Sequence, residues 1–139
     1  MTKREEASTP KSSISQVVEK FTREIERLNR RLEIAAKALN DLPVKSEVEV
    51  AAGAHATLSF RREGDRWNLF YDGATNVPTS PVKVWHQCSA ESKMQIALHL
   101  PALREAMFSA VAARLNVLTK AHSALDQFEE KLAEEGEGR

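Results

Sequence analysis

The chain has 139 residues in which 20 lysines and arginines balance 20 aspartates and glutamates, a size and charge that fit one domain and disfavour a polyphosphate partner held by bulk charge. At 42% hydrophobic residues it can bury a core, and with 6% aromatics and 5 glycines its composition leans toward helix. A single cysteine, Cys88, excludes an internal disulfide, the opening Met-Thr-Lys-Arg-Glu-Glu carries no apolar leader, and the longest apolar stretch, Met94 to Leu103, is broken by Gln95, His99 and Pro101, short of the ~20 residues a bilayer requires.

Residues 1–11 mix charge with Ser, Thr and Pro10 without an apolar period and read as a disordered lead. A helix begins at Ser12 or Ser13. From there apolar residues recur at Ile14, Val18, Phe21, Ile25, Leu28, Leu32, Ala35, Leu39 and Leu42, with spacings that alternate between four and three. This is a heptad, with Val18, Ile25, Leu32 and Leu39 at a and Ile14, Phe21, Leu28, Ala35 and Leu42 at d, and its narrow stripe predicts a coiled-coil seam. Glu19/Arg23, Glu26/Arg30 and Glu33/Lys37 stand in the favourable i,i+4 order on the outer side, each worth about 0.2–0.5 kcal/mol. Pro43 ends the helix.

Residues 44 to 87 contain runs that read as three or four antiparallel strands. A two-residue turn at Glu63-Gly64 pairs Phe60 with Trp67, Leu58 with Leu69 and Ala56 with Tyr71; a three-residue connection around Gly53 pairs Val50 with Ala56 and Val48 with Leu58. One face is then apolar throughout. The other carries Glu47, Glu49, Thr57, Ser59, Arg61, Arg66 and Asn68, with Phe70 as its one aromatic, so this face is expected to be wet. Residues 72–81 read as a loop from Asp72-Gly73, Asn76, Pro78, Ser80 and Pro81, and Val82 to Gln87 as a returning edge strand.

Ser89, with Glu91 two residues on, caps a helix that ends or kinks at Pro101. The last helix runs to about Ala133, with Leu103, Met107, Val111, Leu115, Leu118, Leu125, Phe128 and Leu132 marking its buried side. Acidic residues from Asp126 onward oppose the macrodipole at a helix C-terminus and predict fraying; residues 135–139 read as a disordered tail. The whole is an α+β fold of one domain over residues 12–134: a long N-terminal helix, a meander of three to four strands and a long C-terminal helix.

The two long helices reach ~45–50 Å at 1.5 Å per residue, whereas seven-residue strands reach only ~23 Å. The sheet cannot cover them. The excess stripe must meet the other helix, as an intramolecular hairpin, or a second copy of the chain, and the regular seam favours a homo-oligomer through Val18, Phe21, Ile25, Leu28 and Leu32.

Catalytic chemistry has little support. His86 and Cys88 share a face if they lie on a strand, but no glycine-rich turn beside them offers an oxyanion hole. His55, His86, Cys88, His99 and His122 form no CxxC, HxxxH or HExxH spacing, and Gly53, Gly64 and Gly73 form no phosphate-binding loop. No cofactor or metal is expected. Arg61, Arg62 and Arg66 beside Trp67, Phe70 and Tyr71 resemble the mixture that holds single-stranded nucleic acid, yet the register turns Trp67 and Tyr71 inward.

The first 43 residues carry nine basic and seven acidic side chains, the middle of the chain five of each, and the last 51 residues six and eight. None is basic enough for a salt-sensitive duplex-binding protein, so duplex DNA is expected to bind no tighter than ~10⁻⁴–10⁻⁶ M near physiological salt. Fluorescence anisotropy at two salt concentrations checks this. The expectation is a non-enzymatic, cytoplasmic protein-binding or assembly module with no membrane partner; the alternative is a single-strand-binding accessory protein using the arginine hairpin.

Overall fold

A computed structural model describes residues 2–73 and 82–137, with side chains described over 13–73 and 82–136. Helix α1 (Thr2–Asn40) leads into strands β1 (Val48–Ala51), β2 (Thr57–Glu63), β3 (Arg66–Asp72) and β4 (Lys83–Val84). A single 3₁₀ turn (Trp85–Gln87) then precedes helix α2 (Ala90–Glu137). The strands form one antiparallel sheet in the order β1-β2-β3-β4, and the architecture is the expected α+β.

The faces of the sheet follow the sequence alternation, but both registers are displaced by two residues. Leu58 lies opposite Tyr71, Phe60 opposite Leu69 and Arg62 opposite Trp67, because the turn is Gly64-Asp65 rather than Glu63-Gly64. Gly64 has φ +65°, the positive value that the first central position of a type II′ hairpin needs, and glycine adopts it without cost. Val48 opposes Phe60 and Val50 opposes Leu58; residues 52–56 make the connection, closed by the Ala52 amide donating to the Ala56 carbonyl at 2.9 Å. A shift of two keeps every side chain on its face, so apolar patterning alone does not separate the two registers.

Both helices cover one face of this sheet, α2 over β1 and β2 and α1 over β3. Leu58, Phe60, Leu69 and Tyr71 from the strands meet Leu32 of α1 and Ile96, Leu103 and Met107 of α2, with Leu28, Leu39, Leu100 and Val111 packed around them. Trp85 and Cys88 close the core after β4. On the opposite face Phe70 is buried rather than wet: the Arg61 guanidinium carbon lies 4.6 Å from its ring centroid, and Val84 neighbours it on β4. The arginine stem and the edge strand together keep it from water.

Helix α1 starts at Thr2, earlier than the cap position at Ser12 or Ser13, so helix also covers the stretch expected to be a disordered lead. Lys3, Arg4, Glu5, Glu6 and Ala7 are strong helix formers even without an apolar stripe. The ion pair formed along α1 is Glu24–Arg27, at 3.7 Å and spaced i,i+3; the three expected i,i+4 pairs are not closed among the described residues, as suits exposed charges that gain little from meeting.

The Ser89 cap is present. Its hydroxyl accepts from the Ser92 amide at 3.2 Å, and its carbonyl accepts from the Lys93 amide at 2.9 Å. Pro101 sits inside one continuous helix rather than dividing two, and α2 runs on through Gly136 to Glu137; Gly138 and Arg139 lie outside the described residues. The loop expected over 72–81 falls mostly on residues 74–81, also outside them.

Candidate functional site

The packed parts of the helices are only the second half of α1 and the first half of α2, up to Val111. Phe21, Ile25 and Leu28 line a cleft with Met94, near the start of α2, while Leu39 and Leu42 line another with Met107, Phe108 and Val111 further along it. Residue numbers therefore rise together along the two helices. They run in the same direction and are staggered, which excludes the helix hairpin considered from sequence. The unpacked N-terminal part of α1 leaves the domain at one end and the unpacked C-terminal part of α2 at the other.

This stagger divides the heptad. Leu32 is 2% exposed and belongs to the domain's own core, with Leu28 against it. Ile25 is half-buried. Val18 and Phe21, by contrast, are 58% and 51% exposed, and every residue of 13–24 is exposed.

On α2 every residue of 112–136 is exposed, although the spacing of Leu115, Leu118, Leu125, Phe128 and Leu132 predicts a buried side. The helical period marks an apolar face, but none of the described residues covers it. Residues 112–136 extend about 37 Å at 1.5 Å per residue, carrying that face straight on from Leu103, Met107 and Val111 in the core.

A groove of about 690 Å³, lined by Val44, Val111, Leu115, Val117, Leu118 and Ala121, lies where α2 leaves the domain. Arg114 fixes that departure, donating from Nη1 to the Lys45 carbonyl at 2.9 Å and lying 3.2 Å from the Ser46 hydroxyl. The threonines beside the apolar faces are satisfied within their own helices: Thr22 donates to the Val18 carbonyl and Thr119 to the Leu115 carbonyl, each at 3.0 Å. Such hydroxyls can be covered by a partner without leaving an orphan donor.

The hairpin arginines occupy a different surface. Arg61 lies over Phe70, Arg62 donates from Nε to the Gly64 carbonyl at 2.7 Å, and Arg66 is exposed. Trp67 is half-buried and stacked on Phe60, with ring centroids 5.3 Å apart and planes at 25°. Among the described residues no aromatic of the hairpin stands open to stack on a base, the feature on which sequence-tolerant single-strand binding depends. The open sheet face holds a polar cleft of about 490 Å³ in which Glu47, Glu49 and Asp72 accompany Arg61.

His86 and Cys88 do not share a strand face. His86 lies exposed in the 3₁₀ turn, its ring edge-on to Trp85. Cys88 is buried with its thiol 3.6 Å from the Val84 carbonyl, and burial raises its pKa above the ordinary thiol range, against the lowering effect of Lys83 and Lys93. A protonated, buried thiol is a poor nucleophile. Among the described residues no three His, Cys, Asp or Glu side chains converge on a metal position.

By length and hydropathy alone α2 is long and apolar enough to cross a membrane, with a mean hydropathy of 1.2 over its most apolar 18-residue window. The length of the longest apolar stretch, Met94–Leu103, is too strict a criterion to reveal this, because alanines and leucines beyond Pro101 extend the average. Arg104, Glu105, Arg114 and Lys120 nevertheless punctuate the segment. It is amphipathic rather than apolar all round, as a helix covered on one face is.

Comparison with protein-family models, with curated proteins and with solved structures gives no match. The class defined by the fold is thus a small α+β domain with staggered, projecting helices.

Proposed function

We propose that this protein is a non-enzymatic assembly module that self-associates through the projecting ends of α1 and α2 and, once assembled, serves as a protein-binding scaffold. The observation that carries this reading is the apolar face of α2 from Leu115 to Leu132, exposed along its full length and continuous with the core-facing side of the same helix. Monomers rarely leave so much contiguous apolar surface in water, and surfaces of this kind mark interaction sites. Ile14, Val17, Val18 and Phe21 on α1 add a second such face at the opposite end. The absence of a converging nucleophile and base or of a metal cluster among the described residues is compatible with a binding role and does not itself argue for one.

Light scattering on a sizing column tests the reading. The purified chain at tens of micromolar is expected to have at least the mass of a dimer. A monomeric mass at that concentration overturns it.

A further inference from the structure

We infer that the occupant of both exposed faces is a second copy of this chain, related by a twofold axis, in which the projecting part of α1 in each protomer packs antiparallel against the projecting part of α2 in the other. This rests on the assembly reading above and adds to it which segments meet.

Three observations lead there. Because the helices run in the same direction and project from opposite ends, one chain cannot bring its two apolar faces together. Reversing a second copy by a twofold rotation sets its α2 projection beside the first copy's α1 projection, and its α1 projection beside the first copy's α2. The apolar face of α1 is then covered by the part of the open α2 face nearest the domain, and the assembly is closed, as an isologous interface must be. The projections also match in length: residues 2–24 of α1 reach about 34 Å and residues 112–136 of α2 about 37 Å at 1.5 Å per residue.

The third observation is charge. Asp126, Glu129, Glu130, Glu134, Glu135 and Glu137, against Lys131 alone, crowd the C-terminal end of α2, the end where a helix's own dipole disfavours them. Antiparallel packing carries these carboxylates to the N-terminal end of the partner's α1, where the dipole is positive and Lys3, Arg4 and Lys11 outnumber Glu5 and Glu6.

The heptads then supply a register. In antiparallel helices the partner's numbering falls as one's own rises, so setting Phe21 against Leu115 places Val18 against Leu118, Ile25 against Val111 and Ile14 against His122. The flanks agree with it, Val17 facing Ala121 and Glu24 facing Arg114. Of these layers, Val18 with Leu118 is central and both side chains are accessible in the separate chain.

The test uses Val18→Cys and Leu118→Cys, each placed singly in a chain whose buried thiol has been removed by Cys88→Ser. Mixed at low concentration to exchange subunits, then concentrated and mildly oxidised, the two variants are expected to give a disulfide-linked dimer in which position 18 of one chain is joined to position 118 of the other. Its yield should exceed that of either variant alone at least tenfold, and a peptide map of the linked species identifies the bond. Linkage of Leu118→Cys to itself at equal yield overturns the pairing in favour of α2 against α2. No linkage from a chain that light scattering shows to be dimeric overturns the pairing while the assembly reading stands. A monomeric mass for the Cys88→Ser chain removes both. If that chain instead floats with phosphatidylcholine vesicles and the cross-link is missing, the face serves a membrane and the proposal fails.

Discussion

Replacing Phe60 by Ala is expected to lower stability by about 3–5 kcal/mol, the usual cost of truncating a buried aromatic. Phe60 is fully buried on the central strand β2, opposite Val48 on β1 and Leu69 on β3, and its ring stacks on Trp67. It thus lies at the junction of three strands, and its removal leaves a cavity that rigid neighbours on both sides cannot collapse to fill. Thermal unfolding should show a midpoint lower by roughly 10–20 °C for a chain of this size. Leu98→Ala provides the contrast: Leu98 is 69% exposed on α2, and its truncation should change stability by no more than about 0.5 kcal/mol. Equal effects of the two substitutions would mean that the core is not where β2 and the two helices meet.

The second large effect belongs to assembly rather than folding. Leu118→Asp should leave the domain folded, with a cooperative melt that no longer depends on protein concentration, because Leu118 lies beyond the packed part of α2 and is not among the core residues. Self-association should nevertheless weaken by about 100-fold or more. A carboxylate buried without a partner costs several kcal/mol, and each 1.4 kcal/mol is a factor of ten in the association constant. Leu32→Asp, a change of the same chemistry at a 2% exposed position, should unfold the chain. The pair separates the two ends of one apolar system: near Leu32 it stabilises a fold, and at Leu118 it is exposed.

Much of this architecture is legible in the sequence because its signals are periodic. The alternation from Val48 to Tyr71 assigns each strand residue to its face, and the Ser89 cap marks the start of α2. What the pattern does not reveal is governed by chemistry that period does not encode. Both strand registers differ by two from the apolar pairing because a shift of two preserves every face; between β2 and β3 the choice rests on Gly64 supplying a positive φ at the first turn position, and between β1 and β2 on the connection closed by the Ala52 amide on the Ala56 carbonyl. Phe70 is buried on a face expected to be wet because alternation says which face a side chain points to, not whether Arg61 will lie across it.

The candidate interface shows the same division. The heptad from Ile14 to Leu42 is plain, yet the core takes Leu28 and Leu32 and leaves Val18 and Phe21 open. The apolar residues of α2 beyond Val111 are exposed where burial is expected, since helical spacing identifies an apolar face without saying what covers it. The arithmetic of helix length against strand length does contain the clue, since a sheet ~23 Å deep cannot shield helices of twice that reach. The direction of the stagger is not readable, because it depends on α2 returning alongside α1 in the same sense after the sheet.

Amide hydrogen exchange across residues 112–136 tests most directly whether the open half of α2 is covered by its own kind. A helix of this length without a packed face is marginal in water and frays, so an uncovered segment exchanges within seconds at any concentration. If second copies cover it, the parent chain at tens of micromolar should show these amides protected to an extent approaching that of Ile96 to Met107 in the core, with protection declining on dilution and lost in Leu118→Asp. Exchange that is fast in the parent, unchanged by concentration and identical in Leu118→Asp, would contradict the account.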